Sequence, residues 1–314
     1  MPGIYGTQSS GLFKGVLYRR PYGSTGPRFP FGNCSAVTVG AESEVKEVKN
    51  YTRPNAGLMD SLQRTSKVPF TITVLEFTPE NWALGVGGLL TPVSAGTVTE
   101  EEITLHAGAL TPMAHPNSAV TAIKSKDGDD AAARANSTAY LEGDFIVPAA
   151  ANGHYYKVTV AGTSDTAPPT FPTDGTTVAD GSATLQDMGL IAYPLDGTYV
   201  SVTRGSIYAP DAATFGGISA TTGVPVLVTY TKSAYSDIQA IINAGQEWDL
   251  YFEGYNEMQG NRIIRGQFYR AKFSLASQID LVGDDPASLE LTGDALIDST
   301  ITDPNKSQHY WMQV

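Results

Sequence analysis

Two short runs bring carboxylates together: "KDGDD", with Asp127, Asp129 and Asp130, and "GDDP", with Asp284 and Asp285. Glycoside hydrolysis needs two carboxyl groups across a cleft, one with a raised pKa. Both runs instead sit in turn-like sequence beside glycine, where solvated carboxylates shape turns. Read as a calcium loop, "DGDDAAARANST" lacks the glycine at its sixth place and the glutamate at its twelfth. His106, His115, His154 and His309 show neither H-x-x-x-H nor H-E-x-x-H spacing. "GVGG", Gly85 to Gly88, has no Lys-Ser/Thr after it and suits close packing of a helix on a sheet better than a phosphate. Cys34 is the only cysteine, so the chain forms no internal disulfide and no thiolate metal cluster; it reads as a small buried residue. No catalytic constellation, cofactor or metal is expected, and the chain does not read as an enzyme.

The elements that must carry any function are strands. In 314 residues only 17% are charged, while Gly (32), Pro (19) and Tyr (16) are abundant, a composition that favours short strands and tight turns. The expected fold is mainly β, a sandwich or barrel-like core with one or two short α-helices. The formal net charge of -12 argues against a surface that neutralises phosphates. The first twenty residues lack an apolar signal region and no run reaches bilayer length, so synthesis and folding in a cytoplasm, without membrane insertion, are expected.

Along the chain, "KVPFTITVLEF" alternates with Val68, Phe70, Ile72 and Val74 on one face, which predicts a strand. "TPENWALGVGGLL" follows, with Thr78 as N-cap, Pro79 at the first helical position and Trp82, Val86 and Leu89 on one stripe. A strand is expected around Val37 and Val39 and another over Glu42 to Lys49. Residues 49–67, holding Pro54, Gly57, Met59 and Leu62, read as a long loop. "EEITLHAGAL", "SAVTAIKS", "GTYVSVTRGSIYAP" and "GVPVLVTYTK" are candidate strands. "SAYSDIQAIINAGQ" spaces Ile238, Ile241 and Ile242 for a second short helix.

The Thr, Pro and Gly-rich stretch 159–183 is entered by the alternating "HYYKVTV" and broken by turns at Asp174-Gly175 and Asp180-Gly181, with Phe171 as its apolar anchor. That order of strand, proline corner, turn and strand predicts a small folded module at 148–190 inserted into a discontinuous core of 1–147 and 191–314. It resembles a β module found in tailed-phage structural proteins, with Phe171 and Leu185 where that module commonly has Trp.

Near the C-terminus, Gln267 to Leu281 alternates over fifteen residues, placing Tyr269, Ala271 and Phe273 on one face and Phe268, Arg270, Lys272, Ser274, Gln278 and Asp280 on the other. Such a strand, a Gly, Tyr and Pro-rich arm at 1–35 and a loop exposing Met59 and Leu62 are awkward for a monomer, because they leave apolar groups and sheet edges uncovered.

"GLFKGVLYRRPYGSTGPRFPFGNCSAVTVGAESEVKEVKNY", "VPFTITVLEFTPENWALGVGG" and "DLYFEGYNEMQGNRIIRGQFYRAKFSLASQIDLVGDDPASLELTGDAL", in this order, resemble the major tail tube proteins of long-tailed bacteriophages, over roughly residues 11–90 and 197–300. The resemblance implies a β-sandwich with a flanking helix that assembles into stacked hexameric rings, a virion component built in the host cytoplasm. Its implied partners are other copies of itself, the tape measure, tail terminator and baseplate or tip proteins, with a sheath left open, and DNA passing through the lumen without being held. It implies self-contacts through Phe13, Tyr18, Tyr51, Arg53, Met59 and Leu62. It also puts Arg270, Lys272, Ser274, Gln278 and Asp280 on a luminal or solvent face, with the loop 49–67 reaching the adjacent ring and the module facing outward. Two other readings stay open: a carbohydrate-binding or adhesin-type β protein, from the Tyr and Thr content, and a hydrolase using an unrecognised carboxylate pair.

Overall fold

The computed structural model describes residues 11–52, 57–198, 200–209, 223–276, 278–279, 282–284 and 287–314. The protein is mainly β, with several separate sheets and two short α-helices among these residues. The chain divides into two compact units, one built from the residues up to Thr91 together with Ser236–Val314, the other from Pro92–Tyr235.

The first unit opens with β1 (Phe13–Pro21), β2 (Phe29–Pro30), β3 (Cys34–Val39), β4 (Glu42–Lys49), β5 (Leu58–Lys67), β6 (Pro69–Val74) and the helix α1 (Pro79–Gly85). Its main sheet runs β2, β1, Glu247–Asn256, Arg262–Phe273, Leu289–Ala295, β6, β3, and Tyr310–Gln313 also pairs with Arg262–Phe273. The alternation in β6 has the consequence its pattern predicts: Val68, Phe70, Ile72 and Val74 are all buried, and Phe70 meets Phe273 edge-on at 5.3 Å. Thr78 caps α1 by accepting from the Asn81 N–H at 3.2 Å, with Pro79 behind it. The residues α1 buries are Asn81, Ala83 and Gly85, not the expected stripe of Trp82, Val86 and Leu89. Gly85 lies against Leu289, and a Cβ there would come within 3.1 Å of that side chain, a close approach of helix to strand.

Four other expectations are corrected. Residues 13–21, expected in an arm, form β1 and pair with Trp248–Asn256 along their whole length; Gly15 and Gly254 allow the two backbones to close up, and Leu17 and Arg19 face the core. Residues 58–67, expected as loop, form β5 in ladder with β4. The apolar spacing of Ile238, Ile241 and Ile242 does not make a helix: Tyr235–Gln239 is a strand pairing with Leu89–Val93, and the chain then turns through Ile241 at φ 67°. The long C-terminal strand spans Arg262–Phe273, so Ser274 and Gln278 lie beyond it, and Asp280 and Leu281 fall outside the described residues. Between Phe268 and Ala271 it holds one residue more than its partner Leu250–Trp248, a bulge that inverts the alternation and turns Phe268 into the core.

In the second unit, Asn117–Ser125, Val224–Lys232 and Gly96–Leu105 form a three-stranded sheet around Leu105, Ile123, Ile207, Val226, Val228 and Tyr230. A five-stranded sheet runs Ala132–Ala133, Phe145–Val147, His154–Val160, Ala183–Leu190, Thr177–Asp180. It packs Ile146, Tyr156, Val158 and Leu185 together, with the Phe171 ring 4.9 Å from that of Tyr156. The proline-rich stretch is therefore anchored to a sheet, and that sheet reaches back to Ala132, upstream of the expected start at 148. Arg134 holds Asp180 through two bonds of 2.7 Å with both side chains buried. Burial is the largest single influence and would raise the Asp180 carboxyl, but the hydrogen bonds from Arg134, the Asp165 N–H and the Arg134 charge together hold it below the usual range.

Candidate assembly surface

β3, β4, β5 and β6 are one long hairpin, with a root where alternate residues of β6 are buried while β3 stays largely exposed, and a tip exposed throughout. At the root β3 pairs with β6, Val37 opposite Ile72, and the Gly40 N–H donates to the Pro69 carbonyl at 2.8 Å where the tip begins. Beyond it β4 and β5 pair from Glu42 opposite Lys67 to Lys49 opposite Leu58. All 8 residues of β4 and all 10 of β5 are exposed, so among the described residues the ribbon packs on nothing else. The exposure includes Val45, Val48, Leu58, Leu62 and Met59, the last at 71%. A ribbon rising about 3.3 Å per residue carries these groups some 25 Å from the root.

Its charge is balanced. Glu42, Glu44, Glu47 and Asp60 offset Lys46, Lys49, Arg64 and Lys67, with Glu42 opposite Lys67 and Glu44 opposite Arg64, so the two strands are together neutral on a chain whose net charge is -12. β3 ends the sheet and pairs, among the described residues, with β6 alone, which leaves its outer backbone groups facing solvent.

Of the residues expected at self-contacts, Met59 and Leu62 lie on β5 and Tyr51, 83% exposed, follows β4, so the hairpin gathers these three. Phe13, on β1, lines a small hollow of about 150 Å³ with Val37 and Val39 of the root. Tyr18 is half-buried in mid-sheet opposite Tyr251 and Pro30, away from any tip contact, and Arg53 lies outside the described residues. Of the residues expected on one polar strand face, Arg270 and Lys272 both lie beside Glu247, Ser274 and Gln278 lie past the end of the strand, and Asp280 is outside the described residues. The Arg270 guanidinium is held by Glu247 at 2.6 and 2.7 Å and stacks over Tyr22. Lys272 is exposed opposite Glu247 and Asp294, and Ser274 donates its backbone N–H to Thr292 after the strand has ended.

One feature of this unit carries no period-two signal strong enough to find without a structure. Beneath α1 lies a cavity of about 640 Å³, walled by Ala83, Leu84, Trp248 and Phe273, with Arg19 and Glu80 as its charged groups. Arg19 is only 5% exposed. Its guanidinium donates to the Asn81 side-chain oxygen and lies over the Phe31 ring at 4.6 Å, and among the described residues it makes no ion pair. Burial pushes its pKa down to about 10, with the nearby Glu80 charge acting the other way. Asn81 in turn donates to the Phe31 and Glu76 carbonyls at 2.8 and 2.9 Å, which fixes the acceptor that meets Arg19. The spacing of Leu17 and Arg19, two residues apart on one strand face, is the only trace of this in the sequence.

The groups weighed for chemistry stay apart. Asp129 pairs with Lys124 at 2.9 Å, and burial raises the Asp127 carboxyl. His115 bonds the Tyr235 hydroxyl, His154 bonds Asp187, and His309 bonds the Ala295 carbonyl. Cys34 is half-buried at the root, its thiol pushed up to about 11 by burial. Among the described residues no group of three or more His, Cys, Asp or Glu is placed to hold a metal ion, and no helix is long and apolar enough to cross a membrane. No curated protein matches the chain. Over residues 10–168 and 170–313 it matches the model of one family, and the chain accordingly belongs to the family described as "Protein of unknown function UCP028589".

Proposed function

We propose that this protein is a structural subunit that assembles with copies of itself into stacked hexameric rings, forming the tail tube of a long-tailed bacteriophage. The observation that carries the reading is the tip of the hairpin, whose strands are exposed on both faces along their whole length. A two-stranded ribbon is marginally stable in water by itself, and one that presents Val45, Val48, Leu58, Met59 and Leu62 to solvent is explained by a partner that covers it. A second copy is the favoured partner because the tip is neutral and the sheet ends on an uncovered edge strand, features that join like to like. The net charge of -12 supports a conduit that lets nucleic acid pass without holding it. In this reading the tape measure, terminator and tip proteins are partners of the assembled tube, and the sheet over 132–190 belongs to a decoration on the tube-forming core.

Sedimentation velocity and negative-stain microscopy over rising concentration test the proposal. Rings or tubes are expected for the unaltered protein, and Met59→Asp with Leu62→Asp should leave only monomers with an unchanged far-UV circular dichroism spectrum. Monodisperse monomer at the highest attainable concentration of the unaltered protein overturns it.

A further inference from the structure

The hairpin tip and the cavity under α1 belong to opposite ends of the same strand pair. β6 leaves the tip at Pro69 and leads, from Val74 through Thr78, into the helix that roofs the cavity. β3 does the reverse: Phe29 and Pro30, upstream of it, line the cavity, and Val39 leads into the tip. Six residues of strand, roughly 17 Å, separate the two. A contact between two different ends of a subunit is head to tail and repeats from copy to copy, as a stack of rings requires.

The chemistry of the two ends is complementary. Ala83, Leu84, Trp248 and Phe273 make the cavity apolar; its charged groups are Glu80 and the buried Arg19, which among the described residues makes no ion pair with Glu80 or any other carboxylate. β5 opens at the far end of the ribbon with Leu58, Met59 and Asp60, two exposed apolar side chains followed by a carboxylate. We propose that the hairpin of one copy docks into the cavity of the next, Leu58 and Met59 against the apolar wall and Asp60 toward Arg19. This rests on the self-assembly reading above and names the receiving surface. A carboxylate brought to a desolvated guanidinium forms a charge-assisted bond and relieves what burial costs the cation.

The test places Met59→Cys on the tip and Asn243→Cys on the exposed rim of the cavity, in a Cys34→Ala background, and treats the assembling protein with a short bismaleimide. A ladder of covalently joined copies is expected from the double variant, and monomer from each single variant. Rings or tubes that form without the ladder overturn the docking and leave self-assembly standing; absence of any oligomer overturns both. Should the cysteine variants fold poorly, charge removal in the otherwise unaltered chain answers the same question. Asp60→Asn is expected to raise the critical concentration for assembly by about tenfold, and Glu47→Gln on the same ribbon by less than about twofold. Equal effects of the two overturn the pairing of Asp60 with Arg19.

Discussion

At its root the hairpin Cys34–Val74 buries Phe70, Ile72 and Val74 against the main sheet of its unit, while along its tip neither β4 nor β5 buries a single residue. Both halves are antiparallel ladders in continuous succession, with the Gly40 to Pro69 hydrogen bond at the join. Backbone hydrogen bonds are therefore common to both and contribute only modestly in net terms, because the unfolded chain bonds equally well to water. What separates the halves is the apolar face. The root is held by its own chain, and the tip carries apolar groups that stay exposed.

The sharpest way to break the comparison is at the root. Ile72→Ala removes a fully buried side chain and should cost about 2–5 kcal/mol, read from the denaturant midpoint at constant slope. A loss below about 1 kcal/mol would mean that root and tip do not differ in the way described. Thiol chemistry sharpens it next. Because burial pushes the Cys34 thiol up to about 11, little thiolate exists at pH 8, and alkylation by iodoacetamide should run about a hundredfold slower than at Met59→Cys in a Cys34→Ala background. The disadvantage shrinks as pH rises toward the raised pKa, and similar rates at pH 8 would place Cys34 in open solvent. Asn81→Leu tests the support behind the root: it leaves the Arg19 guanidinium and two carbonyls without their partner, for an expected loss of about 1–3 kcal/mol. The smallest effect belongs to the tip. Met59→Ala and Leu62→Ala, measured on dilute monomer, should shift stability by less than about 0.5 kcal/mol, and a larger loss would reveal packing within the chain.

These contrasts follow what could be read in advance. β6 was legible because its alternation comes from a core it touches, and Thr78-Pro79 because capping is local. β5 was not, since "LMDSLQRTSK" is exposed at every position and so carries no period-two pattern; only its ladder with β4 makes it a strand. Ile238, Ile241 and Ile242 have helical spacing, yet pairing of Tyr235–Gln239 with Leu89–Val93 prevails, because a sheet partner distant in sequence outweighs a weak local preference. Of the candidate surface, Met59, Leu62 and Tyr51 could be named from sequence, whereas the cavity behind Arg19 assembles residues from five separate stretches.

Composition, charge and local periodicity by themselves determined a mainly β chain with net charge -12, a capped short helix after Thr78 and a core strand at Val68–Val74. Only tertiary structure decided that residues 58–67 pair rather than loop, that a bulge turns Phe268 inward, and that Arg19 is buried beside Asn81. The reason is physical: propensity, capping and alternation act within a few residues, whereas register, bulges and desolvation depend on which distant strand lies alongside.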